Sequence, residues 1–104
     1  DLVLAVTEPT LSGMHDLERV VIVANHFKVP VTVVINKYDI NTDNSYQIEQ
    51  YCSKNRLKVA GKIPYDQCVT KAMVNRKSVI EDNCGKVARE IEHIWTNVLQ
   101  TLNQ

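Results

Sequence analysis

Apolar positions along the chain fall into three short runs separated by stretches of helical period. Leu2 to Thr7 is almost wholly apolar and closes at Glu8-Pro9, a pattern that predicts a strand buried on both faces. Leu17, Val20, Val21, Ala24 and Phe27 then recur along one helical face, behind Ser12 as a candidate N-cap and acidic Asp16 and Glu18 in the early turns. This predicts an amphipathic helix of about four turns. Val29-Pro30 stops that helix, and Val31 to Asn36 is a β-branched run of the buried-strand type. The cap-forming residues Asn41-Thr42-Asp43-Asn44-Ser45 predict a loop, followed by a shorter helix marked by Ile48, Tyr51 and Cys52. Leu57 to Ile63 is a weaker strand, interrupted by Gly61 and ended by Pro64. Asp66 then caps a short helix carrying Val69, Ala72, Met73 and Val74, and Asn75-Arg76-Lys77 is a polar break. A final helix from about Lys86 to Leu102 sets Val87, Ile91, Ile94, Trp95, Val98 and Leu102 on one stripe.

Strands alternating with helices predict an α/β fold: a parallel sheet of about three strands with crossover helices. About 23 residues separate the first two strands and about 20 the next two, enough for right-handed βαβ units. The continuous apolar character of the runs implies cover on both faces and makes the first strand a poor candidate for an unpaired edge. The chain opens at Asp1 without an initiator Met, so the expectation is that further strands belong upstream.

Composition narrows the function classes. The 104 residues carry 12 Lys+Arg against 12 Asp+Glu, and no window is rich in Lys or Arg. That balance gives no support to a nucleic-acid binder working through phosphate neutralisation. The apolar run Val20 to Ala24 falls far short of the roughly 18–20 residues of a membrane span, and no signal peptide opens the chain, so no membrane role is evident and a cytoplasmic location is expected. Cys52, Cys68 and Cys84 form no C-x-x-C pair and are odd in number, which predicts reduced structural thiols. His15, His26 and His93 are too scattered for a helical metal pair and read as exposed or capping residues.

Candidate chemistry gathers at the strand ends, where ligands of open parallel sheets bind. The first end carries Thr7-Glu8-Pro9-Thr10, the second Asn36-Lys37-Tyr38-Asp39, the third Pro64-Tyr65-Asp66. Pro, Asn and Asp also follow strands for conformational reasons alone. The second segment is an N-K-x-D motif directly after a strand. An Asn amide can pair with the N6 and N7 edge of adenine or with guanine N7, whereas an Asp carboxylate accepts the N1 and N2 protons of guanine. The Lys37 stem can lie over a base while its charge stays solvated. By itself the motif suggests a GTPase, but no phosphate-cradling G-x-x-x-x-G-K-[ST] is present.

Taken in order, the segments Leu2 to Thr10, Ser12-Gly13-Met14-His15-Asp16-Leu17, Val34 to Asp39, Gly61 to Asp66 and Val69-Thr70-Lys71-Ala72-Met73 resemble the C-terminal half of a MinD/ParA/Mrp-type (CobQ/CobB/MinD/ParA) P-loop ATPase. The resemblance is nearest to MinD-superfamily ATPases with an inserted ferredoxin-like domain, and it covers nearly the whole chain down to Ile94-Trp95. It implies that residues 1–104 are the C-terminal segment of a nucleotide-binding, three-layer α/β/α domain whose P-loop half is missing. It also implies a parent that binds ATP and Mg²⁺, dimerises around ATP, and in the ferredoxin-bearing branch holds [4Fe–4S] clusters upstream and meets an iron–sulfur or redox partner. Asn36 would then contact the adenine, Pro64, Tyr65 and Asp66 would line the base pocket, and the loop holding Glu8 and Pro9 would face nucleotide and partner subunit. Asp39 suits guanine better than adenine, and bracing the loop is its alternative role; Lys37 is either a stacking or a solvent-exposed residue.

The phosphate loop, the Mg²⁺-positioning aspartates and the cluster cysteines of that family all precede the segment matched here. Phosphoryl transfer rests on phosphate positioning and charge neutralisation, so the 104 residues alone are expected to be catalytically inert and to hold no cofactor. Two other readings stay open: a GTP-binding G-domain fragment in which Asn36 and Asp39 read guanine, and an interaction module without a nucleotide role.

Overall fold

The computed structural model describes residues 2–76 and 85–103, arranged as an α/β unit. In chain order the elements are β1 (Val3–Thr7), α1 (Leu11–His26), β2 (Val31–Asn36), α2 (Thr42–Lys54), β3 (Lys58–Ile63), α3 (Gln67–Val74) and α4 (Gly85–Leu102). The described strands form one sheet in the order β1-β2-β3, parallel throughout, with Val3 opposite Val31 and Thr32 opposite Lys58. This is the α/β architecture expected from the alternating pattern.

Right-handed crossovers that step in one direction across a sheet place their helices on one face. Accordingly α1 and α2 share a face, where Leu17, Val21, Ala24, Ile48 and Cys52 pack with Val31, Val33 and Ile35. On the other face α4 sets Ile94 and Val98 against Val34 and Ala60, and α3 contributes Ala72 beside Val87. Val31 to Ile35 are consequently all buried. Two polar contacts dock α4 on the last strand: Asn97 Nδ2 donates to the Ala60 carbonyl at 2.8 Å, and Lys58 Nζ to Thr101 Oγ1 at 2.8 Å. Gly61 sits at a register shift opposite Val34 and lets Ile94 close over the strand, since an added Cβ would lie 2.5 Å from Ile94 Cγ1.

Several expectations are corrected. β1 is not buried on both faces: Leu4 is 44% and Val6 61% exposed. It is also an edge of the described sheet, because β2 is its one paired neighbour among the described strands. In α1 the inward stripe is Leu17, Val21 and Ala24, while Val20 and Phe27 are exposed one step around the helix. Thr10 rather than Ser12 caps α1, its Oγ1 accepting the Gly13 N–H at 2.8 Å, because the extended backbone after Pro9 already aims that hydroxyl at the first turn. Residues 42–45 belong to α2 rather than to a loop, since Asn41 caps the helix by accepting the Asn44 N–H at 3.0 Å. Met73, Val74, Trp95 and Leu102 are exposed. Cys52 is a buried free thiol as expected, but Cys68 is disulfide-bonded; Cys84, Lys77 and Asp1 lie outside the described residues.

Helix ends are closed without glycine. Val29 N–H bonds the Ala24 carbonyl and Leu57 N–H the Cys52 carbonyl, Schellman-type closures that put Lys28 (φ 58°) and Arg56 (φ 58°) in the left-handed region. Burial pushes the Cys52 thiol up to about 11, with Glu49 adding to the effect.

Replacing Gly61 by Ala is expected to cost about 1–2 kcal/mol in chemical denaturation, as overpacking against Ile94 outweighs the gain from a stiffer unfolded chain. Ile94→Ala should cost less in that background than in the wild type, the signature of coupled neighbours. A neutral Gly61→Ala would contradict the packing described. The Cys52 thiol binds its proton more tightly folded than unfolded, so its contribution is intact below about pH 9 and stability falls as pH rises from there towards 11. Cys52→Ala should flatten that part of the pH profile.

Candidate functional site

Parallel register aligns the carboxyl ends of the strands: Thr7 lies opposite Ile35, and Asn36 opposite Ile63. The three loops that follow are tied to one another by short bonds. Tyr38 N–H donates to the Ile63 carbonyl at 3.1 Å, and Asp39 Oδ1 accepts the Tyr65 N–H at 2.8 Å, locking the second loop to the third. Lys37 Nζ stands 3.6 Å from Glu8 Oε1, bridging the second loop to the first, and Asn44 Nδ2 at the start of α2 donates to the Pro9 carbonyl at 3.1 Å. The Lys37–Glu8 pair is exposed and contributes little stability, so its effect is orientation. Thr7 Oγ1 donates to the Gly13 carbonyl at 3.0 Å, and a Cβ on Gly13 would drive into the Glu8 carbonyl, so the first loop folds tightly over α1.

Lys37 is the strained member of the set. Among described non-glycine residues with positive φ, Lys28, Arg56 and Arg76 follow helix ends, whereas Lys37 (φ 55°) follows a strand. The left-handed region costs a residue with a Cβ roughly 1–2 kcal/mol. Here the conformation turns the chain so that Ile40 N–H bonds the Lys37 carbonyl at 3.1 Å and Ser45 Oγ donates to the Tyr38 carbonyl at 2.6 Å. Tyr38 packs inward on the core of α1 and α2, with Lys62 Nζ 5.4 Å from its ring centroid. The ammonium is held by Glu49 at 2.8 Å, a bond that raises the Lys62 pKa.

Between the second and third loops lies a groove of about 260 Å³ lined by Asn36, Lys37, Ile63, Pro64, Tyr65, Asp66, Val69 and Met73. Five of the residues singled out from the strand ends therefore meet in one place: Asn36, Lys37, Pro64, Tyr65 and Asp66. Asp39 is not a lining residue; it faces the Tyr65 backbone instead. Among the described residues Glu8 meets this site through Lys37, and Pro9 is buried. Sequence reasoning missed Met73 and Val69 as groove walls, since their apolar spacing on a short helix reads as core. Asp66 caps that helix through the Cys68 N–H at 2.9 Å and so fixes the wall to the third loop. The half-buried Asn36 side chain makes no hydrogen bond to another described residue.

The groove is smaller than the roughly 300–1,000 Å³ typical of sites for a whole drug-sized ligand. It offers an amide with both donor and acceptor, one cationic and one anionic side chain, and apolar walls, which suits a flat heteroaromatic edge. Among the described residues no group of three or more His, Cys, Asp or Glu side chains is placed to hold a metal ion. No helix of the described residues is long and apolar enough to cross a membrane.

No family model matches the chain. It is 30% identical over 95 residues to the uncharacterized protein MJ0578 of Methanocaldococcus jannaschii, and 30% identical over 83 residues to the uncharacterized protein MJ0579 of the same organism. These alignments take in 91% and 80% of this chain but only 30% and 26% of the two relatives. Among solved structures, the MinD cell division protein of Aquifex aeolicus superposes on 96% of the chain with a TM-score of 0.77 at 16% identity, over 44% of its own length. The fold is thus MinD-like, as the resemblance implied, and the chain spans less than half the length of these three proteins.

If Asp39 braces the third loop, Asp39→Ala should speed exchange of the Tyr65 amide by about fivefold, the equivalent of a hydrogen bond of roughly 1 kcal/mol. Asp39→Asn, which keeps an acceptor oxygen, should leave it within about twofold. Equal protection in wild type and Asp39→Ala, read by NMR hydrogen exchange, would contradict the assignment.

Proposed function

We propose that this chain forms the base-recognising side of a nucleotide site in a MinD-like P-loop ATPase, and that the groove between the second and third loops takes the adenine of ATP. The observation that carries the reading is the Asn36 amide, half-buried at the end of the central strand, unengaged by other described side chains and set among apolar walls. An amide so placed can donate to adenine N7 and accept from its N6 amino group while Pro64, Val69 and Met73 pack against the ring. Tyr65 and the Lys37 stem border the open side.

The position of Asp39 favours adenine over the alternative of guanine. Discrimination by a G domain needs a carboxylate free to accept two guanine N–H groups, and one Asp39 oxygen already accepts the Tyr65 N–H outside the groove. Phosphate binding, Mg²⁺ and hydrolysis belong, in this reading, to residues beyond the 104. So do the [4Fe–4S] clusters of a ferredoxin-bearing relative and any redox partner. ATP would be shared at a homodimer interface that includes the Thr7–Thr10 loop. This chain's own contribution is binding and orientation: it holds the base and excludes water from one face of it.

The test is calorimetric titration of ATP and GTP, with Mg²⁺, into the longer polypeptide that carries this chain. Wild type is expected to prefer ATP. Asn36→Ala should weaken ATP binding by about tenfold, or 1.4 kcal/mol, while Asp39→Ala leaves the ATP-to-GTP preference unchanged. Undiminished ATP binding by Asn36→Ala would overturn the reading, and a GTP preference abolished by Asp39→Ala would establish the guanine alternative.

A further inference from the structure

Among the described helices α3 has the weakest hold on the rest of the fold. It has eight residues, fewer than the roughly 12–15 at which a helix persists by itself in water, so its order depends on what it docks against. Of its described side chains Ala72 is buried, Cys68 and Val69 are half-buried, and Met73 and Val74 are exposed. α1, α2 and α4 each bury three residues. Two further ties reach α3 in its first turn: Asp66 Oδ1 accepts the Cys68 N–H at 2.9 Å, and the Cys68 sulfur is in a disulfide. A covalent cross-link contributes more to order than a single capping bond.

The two cysteines of the described residues are chemically unlike. Cys52 is 1% exposed and burial pushes its thiol up to about 11, which makes it a poor nucleophile out of reach of solutes. Cys68 is half-buried against the Ala72–Val87 cluster, open in part to a thiolate from solution. Thiol–disulfide exchange therefore addresses Cys68 and spares Cys52. What α3 carries gives that exchange a consequence: Val69 and Met73 are walls of the groove beside Asn36, and Asp66 ties the same helix to the third loop.

We infer that the Cys68 disulfide is a redox-sensitive clasp, which when oxidised holds α3 in place as a wall of the groove and when reduced releases it while the sheet stays folded. The sheet is independent of the clasp because Cys68 packs with the Ala72–Val87 cluster and is not among the residues of the two clusters that bury β2. The reductant is a dithiol. One of its sulfurs, as thiolate, attacks the disulfide, forms a mixed disulfide and expels one cysteine sulfur; its second thiol then closes the dithiol's own disulfide and frees the other cysteine. The protein disulfide gains two electrons, the dithiol loses two, and the dithiol's two protons pass to the released sulfurs. Release of α3 stands without nucleotide, and its effect on ATP rests on the adenine reading above.

The experiment is site-resolved hydrogen exchange on the longer polypeptide, oxidised with glutathione disulfide or reduced with dithiothreitol. Differential alkylation and peptide mapping follow Cys68 and the cysteine bonded to it. Reduction should speed exchange of the Lys71, Ala72 and Met73 amides by about tenfold or more and leave those of Val33 to Ile35 within about twofold. In Cys68→Ser the α3 amides should be fast from the start and indifferent to dithiothreitol. Unchanged α3 exchange once Cys68 is reduced would overturn the inference, as would an equal acceleration in β2, which would make the bond a staple of the whole fold. So would a Cys68 that glutathione disulfide leaves as a thiol. Titration of ATP into both forms separates the two readings: α3 released with ATP affinity unmoved upholds the clasp and contradicts the placement of adenine against Val69 and Met73.

Discussion

Burial of β2 on both faces is the constraint from which the rest of the structure follows. Val31, Val33, Val34 and Ile35 each gain roughly 1.5–3 kcal/mol from burial, against a backbone-ordering cost of about 1–2 kcal/mol per residue. The margin is favourable because α1 and α2 cover one face of the strand and α4 the other. With β2 fixed, a one-residue slip of either neighbour would turn apolar side chains to the wrong face, so the register of β1 and β3 is fixed as well. The carboxyl ends of the strands then align, and Asn36 is delivered to the mouth of the groove.

The groove is held by hydrogen bonds from backbone N–H groups, two of them to carboxylates, rather than by ion pairs. Tyr38 N–H to Ile63, Tyr65 N–H to Asp39 and Cys68 N–H to Asp66 tie the loops together. The Lys37–Glu8 pair is a solvent-screened tether, and strain at Lys37 is the cost of turning the chain sharply after β2. A groove held this way is formed in advance, and pre-formation of that kind lowers the ordering cost of binding.

Much of this was legible in the sequence, for reasons that particular residues make plain. A run such as Val31 to Ile35 has a single good solution, a central strand, and Asn36 and Pro64 to Asp66 converge because parallel strands put their ends on one edge. The faces of the outer elements were less legible. Leu17, Val21 and Ala24 form one stripe of α1 and Val20 and Phe27 another, and spacing alone does not say which meets the sheet. β1 carries a two-faced apolar pattern, yet Leu4 and Val6 are exposed among the described residues, so local sequence implied a cover that these residues do not supply. Asp39 belongs to an N-K-x-D sequence that by itself suggests base reading, and only the position of the Tyr65 N–H showed that its carboxylate is engaged by the protein.

The central claim, that the groove beside Asn36 receives the base of ATP, is tested most directly by photolabelling the longer polypeptide with 8-azido-ATP and mapping the modified residue by mass spectrometry. The account predicts ATP-protectable labelling within residues 36–39 or 63–73, with Tyr65 or Met73 as acceptor. Labelling confined to other segments, or labelling that excess ATP does not suppress, would contradict it.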